Sequence, residues 1–399
     1  MHHSIAPQTI QALRVQRYHK VSLFVYTNLV FITLQKKLIC IFTIFVVQID
    51  LYKTNFYMKK HMTAEQVDRL KSSWELQEHV LAPHVMHFEG MEAINAGDLV
   101  LLSLSDEVGA AVRYKWYGFS QFTSIKIVDC GNYVGNNIKP LLEFIDELWS
   151  RGAIVILMSK NLDKGLYHNI HEALKAYIDV SAAITRTPWD TIRLYPDVSF
   201  VSIANQVHRS KPSHLMKSKN LTALRLGELR SYFGESEPLM RHADCCFFDF
   251  NAVRFADAPG QSDPSTSGLN SEECCHLAKY AGQANKLRLF WIYNYTPEHD
   301  VRNVTADLIA QMLWYFTDGM EQRKEGFPID TSPMQTYVVE FDRLDIPLTF
   351  HKSSITDRWW VTASINLDAK PLPCSPRDYE LAKKGELSQR LLELLDVYG

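Results

Sequence analysis

The sequence predicts an α/β fold with three αβα layers around a mainly parallel sheet. Short continuous apolar runs such as Ala153-Ile154-Val155-Ile156-Leu157-Met158 suit strands that helices cover on both faces. Between the runs lie segments with apolar residues three and four apart, the period of an amphipathic helix. The two kinds of segment alternate after Met62, with no Gly/Ser linker and no internal repeat to divide them. Strands separated by helices of this length are parallel neighbours in one sheet.

In chain order, residues 99–104 and 125–130 read as buried strands. Residues 137–151 form a helix with Ile138, Leu141, Leu142, Ile145 and Leu148 on one face, and Gly152 stops it. The run 153–158 is a central strand, 165–176 a helix and 200–204 another strand. Two short helices, 226–233 and 237–243, lead into a strand over 245–250. Ser271 is the expected N-cap of the next helix, with Glu272 and Glu273 in its first turn and Gly282 at its C-terminal end. A strand over 287–293 precedes a long helix over 300–316, whose apolar face carries Val301, Val304, Leu308, Met312 and Tyr315. Residues 336–341 and 348–351 are late strands. The mixed charges of 383–393 mark the solvated face of a terminal helix.

Composition narrows the function. A chain of 399 residues with 46% hydrophobic and 22% charged residues is globular with a sizeable core. Its formal charge of -3 leaves no basic excess to displace counterions from phosphates, which argues against nucleic acid. The 7 cysteines include the pairs Cys245-Cys246 and Cys274-Cys275 and no CxxC spacing. They are expected as small core residues in a reducing, cytoplasmic setting rather than as disulfides or a zinc site.

The first 61 residues differ from the rest. Lys36-Lys37 divides an apolar stretch into 21–34 and 38–47, and neither part reaches the roughly 18–20 apolar residues of a spanning helix. No small-residue cleavage site follows, and Met58 and Met62 stand just before ordinary globular sequence. Residues 1–61 are therefore expected to be an upstream extension or misassigned start, with a signal or anchor as the alternative. Residues 62–98 form a lead-in, and 99–399 a single α/β domain that includes the C-terminal tail and needs no membrane.

In an open α/β sheet, ligands bind at the carboxyl ends of strands. Three ends stand out here, after Met158, after Val180 and after Phe248. The last continues as Asp249-Phe250-Asn251 and then Pro259-Gly260. An Asp-x-Asp pair in such a place is a common cation holder, and here its second carboxylate is an amide. His168 and His171, three apart on the expected helix, have metal-pair spacing but no acidic company, so a solvated or capping role is favoured. No Gly-x-Ser-x-Gly elbow and no phosphate-binding glycine loop is present.

Asp249-Phe250-Asn251, the segment Glu237-Pro238-Leu239-Met240-Arg241-His242-Ala243-Asp244, Ser267-Gly268-Leu269 and Tyr293-Asn294-Tyr295-Thr296-Pro297 occur in an order that resembles the arginase/agmatinase/formimidoylglutamase (ureohydrolase) family. The resemblance spans about residues 99–319. Ala252-Val253-Arg254, Trp314-Tyr315-Phe316, Asp357-Arg358-Trp359-Trp360 and Asp378-Tyr379 are similar to a divergent bacterial, formimidoylglutamase-like branch, which brings the tail into the same domain. The resemblance implies an arginase-like fold, two Mn²⁺ ions and a bridging hydroxide that attacks the carbon of a linear amidine or guanidine. It also implies carboxylate and imidazole ligands gathered at strand ends, because two close dications need charge compensation.

The elements that would supply those ligands are depleted. The family's Gly-Gly-Asp-His turn falls on Met158-Ser159-Lys160-Asn161, and its Asp-x-His-x-Asp run falls near Asp179-Val180-Ser181-Ala182-Ala183. Its Glu-x-Asn-Pro element appears as Asn294-Tyr295-Thr296-Pro297, without the carboxylate. Asp249 and Asn251 remain as candidate metal ligands, enough for a weak single-cation site. Lys160, Asn161, Asp179, His208, Arg254 and Asn294 are candidate cleft residues. Against these roles stand ordinary ones: a strand-end carboxylate holding loop amides for Asp249, a turn amide for Asn251, a surface histidine for His208 and packing for Trp359-Trp360. The expectation is a pseudoenzyme with Mn²⁺ absent or weakly bound, acting by binding or scaffolding through the old cleft. A metal-dependent hydrolase of amidines or guanidines is the alternative, and an oligomeric structural protein is the third reading.

Overall fold

The computed structural model describes residues 58–59, 80–122, 124–170, 174–183, 199–206, 208–209, 221–323, 334–341, 344–363, 371–388 and 390–392. The apolar runs 21–34 and 38–47, and His171, lie outside them.

The strands of the main sheet are β1 (Val85–His87), β2 (Leu99–Ser103), β3 (Ile127–Tyr133), β4 (Ile154–Met158), β5 (Ala176–Val180), β6 (Ser199–Asn205), β7 (Leu221–Arg225), β8 (Cys245–Asp249) and β9 (Leu289–Tyr293). They lie in the spatial order β1-β3-β2-β4-β9-β8-β5-β6-β7, and every neighbouring pair is parallel. Every residue of β2, β4, β8 and β9 is buried, as continuous apolar runs require when both faces are covered. Helices α1 (Asp106–Trp116), α2 (Ile138–Ser150), α3 (Lys164–Ile170), α4 (Leu226–Ser231), α5 (Ser236–Met240), α6 (Ser271–Gln283) and α7 (Val304–Glu321) supply the cover. Helix α7 packs on α6 and α1, and α2 packs on α3. This is the three-layer αβα arrangement. The aromatic core joins the layers: Phe316 of α7 stacks on Phe290 of β9 with centroids 4.9 Å apart.

Several boundaries differ from the sequence expectation for identifiable reasons. Helix α3 ends at Ile170, short of 176, because Ala176 already begins a strand; the Asp244 carboxylate anchors that strand by accepting the Lys175 and Ala176 amides, each at 3.0 Å. The N-cap of α6 is Asn270, not Ser271: the Asn270 amide oxygen takes the Glu273 N–H at 2.8 Å and Glu273 returns the bond at 2.8 Å. Helix α7 starts at Val304 and runs to Glu321. Asp300 does not enter it but accepts the Thr305 and Ala306 amides at 2.9 Å each, and Val301 is exposed rather than part of the apolar face.

Helix α1 escapes a hydrophobic-periodicity reading because a charge sits on its buried face. Arg113 is buried beside Val112 and Trp116. Its Nε and Nη2 donate to Asp129 at 2.7 and 2.8 Å, Nη2 also to the Gly131 carbonyl at 2.7 Å, and Nη1 to Asn132 at 2.8 Å. The bidentate geometry compensates both charges as they leave water.

The C-terminal strands form a sheet of their own. Strands β10 (Met334–Phe341), β11 (Leu344–Ser353), β12 (Trp359–Ala363) and β13 (Leu372–Cys374) pair antiparallel in sequence order. Helix α8 (Pro376–Lys383) follows, and the terminal helix expected over 383–393 is interrupted by a turn at 384–385, with 390–392 helical again. Val339, Leu348, Phe350, Trp359 and Val361 form a separate small core, with Trp359 stacked between Tyr337 and Tyr379 at 5.5 and 5.3 Å. Cys130, Cys245, Cys246, Cys274, Cys275 and Cys374 are all buried and free. No described helix is long and apolar enough to cross a membrane.

Gly282 does not cap α6; it lies inside the helix, where a Cβ would stand 2.0 Å from the Phe316 carbonyl oxygen of α7. Gly319 of α7 returns the contact, its Cβ position 2.3 Å from the Lys279 carbonyl oxygen. Two helix backbones meet there, and neither can give way as a side chain would. Gly282→Ala is expected to lower the unfolding free energy by about 1–3 kcal/mol, measured by urea denaturation. An unchanged urea midpoint would show that the helices separate freely.

Candidate functional site

The parallel strands end on one rim, and two buried carboxylates stand on neighbouring ends there. In the β5–β8 register Asp179 pairs with Phe247 and Val180 with Phe248, so Asp249 is the next residue out along β8; across β9, Asp249 pairs with Tyr293. Asp179 is 1% exposed and Asp249 7%.

Neutral groups hold both. The Ser181 hydroxyl donates to Asp179 Oδ2 at 2.5 Å, and the Tyr293 hydroxyl donates to Oδ1 at 3.4 Å. Asp249 Oδ1 accepts the Asn251 backbone amide at 2.9 Å and the Asn294 side-chain amide at 2.8 Å. Asn294 reaches it from a left-handed backbone (φ 63°) just past the end of β9. Burial pushes Asp179 up to about 7, with the Asp249 charge adding to the rise and the Ser181 and Tyr293 bonds opposing it. Burial likewise lifts Asp249 to about 6, against the pull of Asn294, the Asn251 amide and more distant Arg209.

The loop after β8 is stitched down by Asn251. Its amide oxygen accepts the Asp263 N–H at 2.9 Å, and its amide and the Ser262 hydroxyl exchange bonds at 3.1 and 3.2 Å. From the far side, Arg209 pairs with Asp263 at 3.3 Å and Gln206 donates to the Ser267 carbonyl at 3.1 Å. Strand β6 aims these residues inward: its register slips between Ile203 and Asn205, with Ala204 left-handed at φ 69°, a conformation that costs a non-glycine residue about 1–2 kcal/mol. The Oε1 atoms of Gln206 and Gln261 are buried without a hydrogen-bond partner.

Among the described residues the donors at the rim, two carboxylates already bonded to neutral groups, an amide built into a loop and hydroxyls, do not by themselves fit a binuclear Mn²⁺ centre. Among the described residues no group of three or more His, Cys, Asp or Glu side chains is placed to hold a metal ion.

No protein-family model matches this sequence, and no curated protein matches it by sequence. Solved structures do match it by shape. The Trypanosoma cruzi formiminoglutamase structure with Mn²⁺ superposes with a TM-score of 0.52 at 16% identity, over 59% of this chain and 97% of that one. The formimidoylglutamase of Bacillus subtilis subsp. subtilis str. 168 gives 0.53 at 14% identity, over 62% of this chain and 94% of that one. The chain has the arginase-like (ureohydrolase) fold.

Within that fold the residues named from sequence fall in two groups. Asp179, Asp249, Asn251 and Asn294 come together on the rim through the bonds above. Lys160 turns to Glu298, its Nζ 2.5 Å from the carboxylate, and this bond holds Glu298 below the usual carboxylate range. The Asn161 side chain is exposed, while its carbonyl accepts the Ser159 hydroxyl at 2.8 Å. His208 is exposed on a turn. Arg254 is exposed and paired with Asp257, which also accepts the Ser271 hydroxyl at the start of α6. Ser181, Tyr293, Gln206 and Arg209 were not singled out from sequence. Ser181 carried the available signal, a polar residue two positions past an Asp at a strand end.

The two raised carboxyls set a pH dependence of stability. An exposed aspartate titrates at about 3.9, so the fold favours the protonated form of both. Their contribution is complete below that value and is lost as pH rises through about 6 and 7. The urea midpoint of the protein should therefore fall between pH 5 and pH 8. Asp179→Asn should flatten the upper part of that fall and give a midpoint above wild type at pH 8; parallel profiles would refute the assignment.

Proposed function

We propose that this arginase-fold protein is a pseudoenzyme, a binding or scaffolding protein that has given up the binuclear Mn²⁺ centre while keeping the strand-end cleft. One observation carries the reading. The two rim carboxylates are compensated by Ser181, Tyr293, Asn294 and a backbone amide, and the amide in place of a further carboxylate, Asn251, is spent on the loop. Hydrogen bonds from neutral donors replace the charge that dications would bring.

The cleft suits a small ligand rich in N–H donors, of amidine or guanidine type. Asp249 takes both of its hydrogen bonds on Oδ1, and among the described residues no cation is bonded to its Oδ2. In this reading the cleft binds such a molecule without cleaving its C–N bonds.

Metal analysis and turnover test the proposal together. The purified full chain, loaded with Mn²⁺ and desalted, is expected to retain far less than one ion per chain. It should release neither urea nor ammonia from arginine, agmatine or formiminoglutamate. Two tightly held Mn²⁺ ions with turnover of any of the three would establish the hydrolase instead.

A further inference from the structure

The loop after β8 has two fixed ends and a middle held by polar bonds alone. At one end the Gly260 amide donates to the Thr305 hydroxyl at 2.7 Å and its carbonyl accepts the Thr296 amide at 2.7 Å. Gln261, 1% exposed, donates there to the Val253 carbonyl. At the other end Leu269 is fully buried, donates to the Ala252 carbonyl at 2.8 Å and accepts the Arg254 amide at 2.9 Å. Between these anchors no residue of 262–267 is buried, and none contributes a side chain to the core.

The fastenings of the middle reach two parts of the rim. Toward β8, the Asp263 backbone amide donates to Asn251 Oδ1 at 2.9 Å, and the Ser262 hydroxyl bonds to the same atom at 3.2 Å. Toward β6, Arg209 Nη1 lies 3.3 Å from Asp263 Oδ2, and the Gln206 side-chain amide donates to the Ser267 carbonyl at 3.1 Å. A further bond, from the Phe255 amide to the Ser265 carbonyl at 2.6 Å, runs within the loop itself. The Asp263 side chain is 72% exposed, so water and salt both weaken its pairing with Arg209. A segment with no buried apolar contact and solvent-facing polar bonds opens locally at lower free energy than the sheet it lies on.

The Asp249 end of the cleft adjoins this segment. Asn251 gives its backbone amide to Asp249 at 2.9 Å and its side chain to Ser262 and Asp263. Asp249 is itself only 7% exposed. Arg209 and Asp263 act on its charge in opposite senses, which puts the pair within electrostatic reach of that carboxylate.

We propose that residues 262–267 form a strap that opens and closes over the Asp249 end of the strand-end cleft, with the Arg209–Asp263 pair as its latch. Opening carries Ser262 and Asp263 away from Asn251 and frees that side chain beside Asp249, while the anchors at 260–261 and 269 stay in place. The strap rests on reading the cleft as a binding site, but its test needs neither ligand nor metal, so the failure of one is distinguishable from the failure of the other.

Native-state hydrogen exchange of the full chain, resolved to single amides by mass spectrometry, reads the motion as protection factors. The Asp263 and Asn251 amides are expected to open together, and more readily than the Leu269 amide. Arg209→Gln should lower the protection of both by about two- to fivefold and leave Leu269 unchanged. Sodium chloride at about 0.5 M should lower it in the wild type and not in the variant. Asp263→Asn cuts the same pair at an exposed side chain and should match Arg209→Gln, with the double variant exceeding neither; it decides the matter should Arg209→Gln not fold. Protection at Asp263 that equals that of Leu269, or that neither substitution lowers, would overturn the latch. Protection at Asn251 that stays constant while that of Asp263 falls would show that the strap does not cover the cleft.

Discussion

Burying carboxylates at the ends of a parallel sheet sets the terms on which the rest of this molecule is organised. A carboxylate taken out of water must gain a cation, gain a proton or accept strong hydrogen bonds, and the chain uses different solutions at different places. At Asp129 burial works against ionisation, but the Arg113 guanidinium overcomes it and holds the group below the usual range. Asp179 and Asp249 have hydroxyls and amides instead, and burial prevails. The contrast is physical rather than sequential: both kinds of aspartate sit on buried strands, and among the described residues only the first is bonded to a fixed cation. The bonds that hold Asp249 also tie the end of β9 to the loop after β8, so the rim's shape follows from how its charge is handled.

The architecture was legible where one local rule acted alone. Continuous apolar runs marked β2, β4, β8 and β9, and helical spacing of apolar residues marked α2. It was obscured where a distant partner overrode the local pattern. Arg113 interrupts the apolar stripe of α1 because Asp129 awaits it on β3, and Asp244 holds the start of the strand at Ala176, inside a stretch the sequence pattern reads as helix. Gly282 looks like a stop signal until α7 is seen against it. At the rim, Asp249 and Asn251 are readable because they share a strand end. Gln206, Arg209 and Tyr293 join them only through the sheet order, which brings together ends far apart in the chain.

The C-terminal sheet is fastened to the α/β layers by charge as much as by apolar contact. Arg241 reaches from the end of α5 to the β12 backbone. Arg390 lies within 3.3 Å of Glu235 and pairs with Asp378 of α8, while Ser375 donates to Glu235 at 2.5 Å. Such buried pairs specify one arrangement more surely than they add stability. They also bound a groove of about 500 Å³ where α5 and α6 meet the C-terminal sheet.

The central claim is that protons and neutral hydrogen bonds, not metal ions, compensate Asp179 and Asp249. Carbon-13 NMR of aspartate-labelled protein, assigned through Asp179→Asn and Asp249→Asn and titrated with and without Mn²⁺, tests it most directly. The account predicts two carboxyl resonances titrating well above an ordinary aspartate, near 6 and 7, with no paramagnetic broadening at stoichiometric Mn²⁺. Ordinary acidic titration of both groups, or their selective broadening by Mn²⁺, would contradict it.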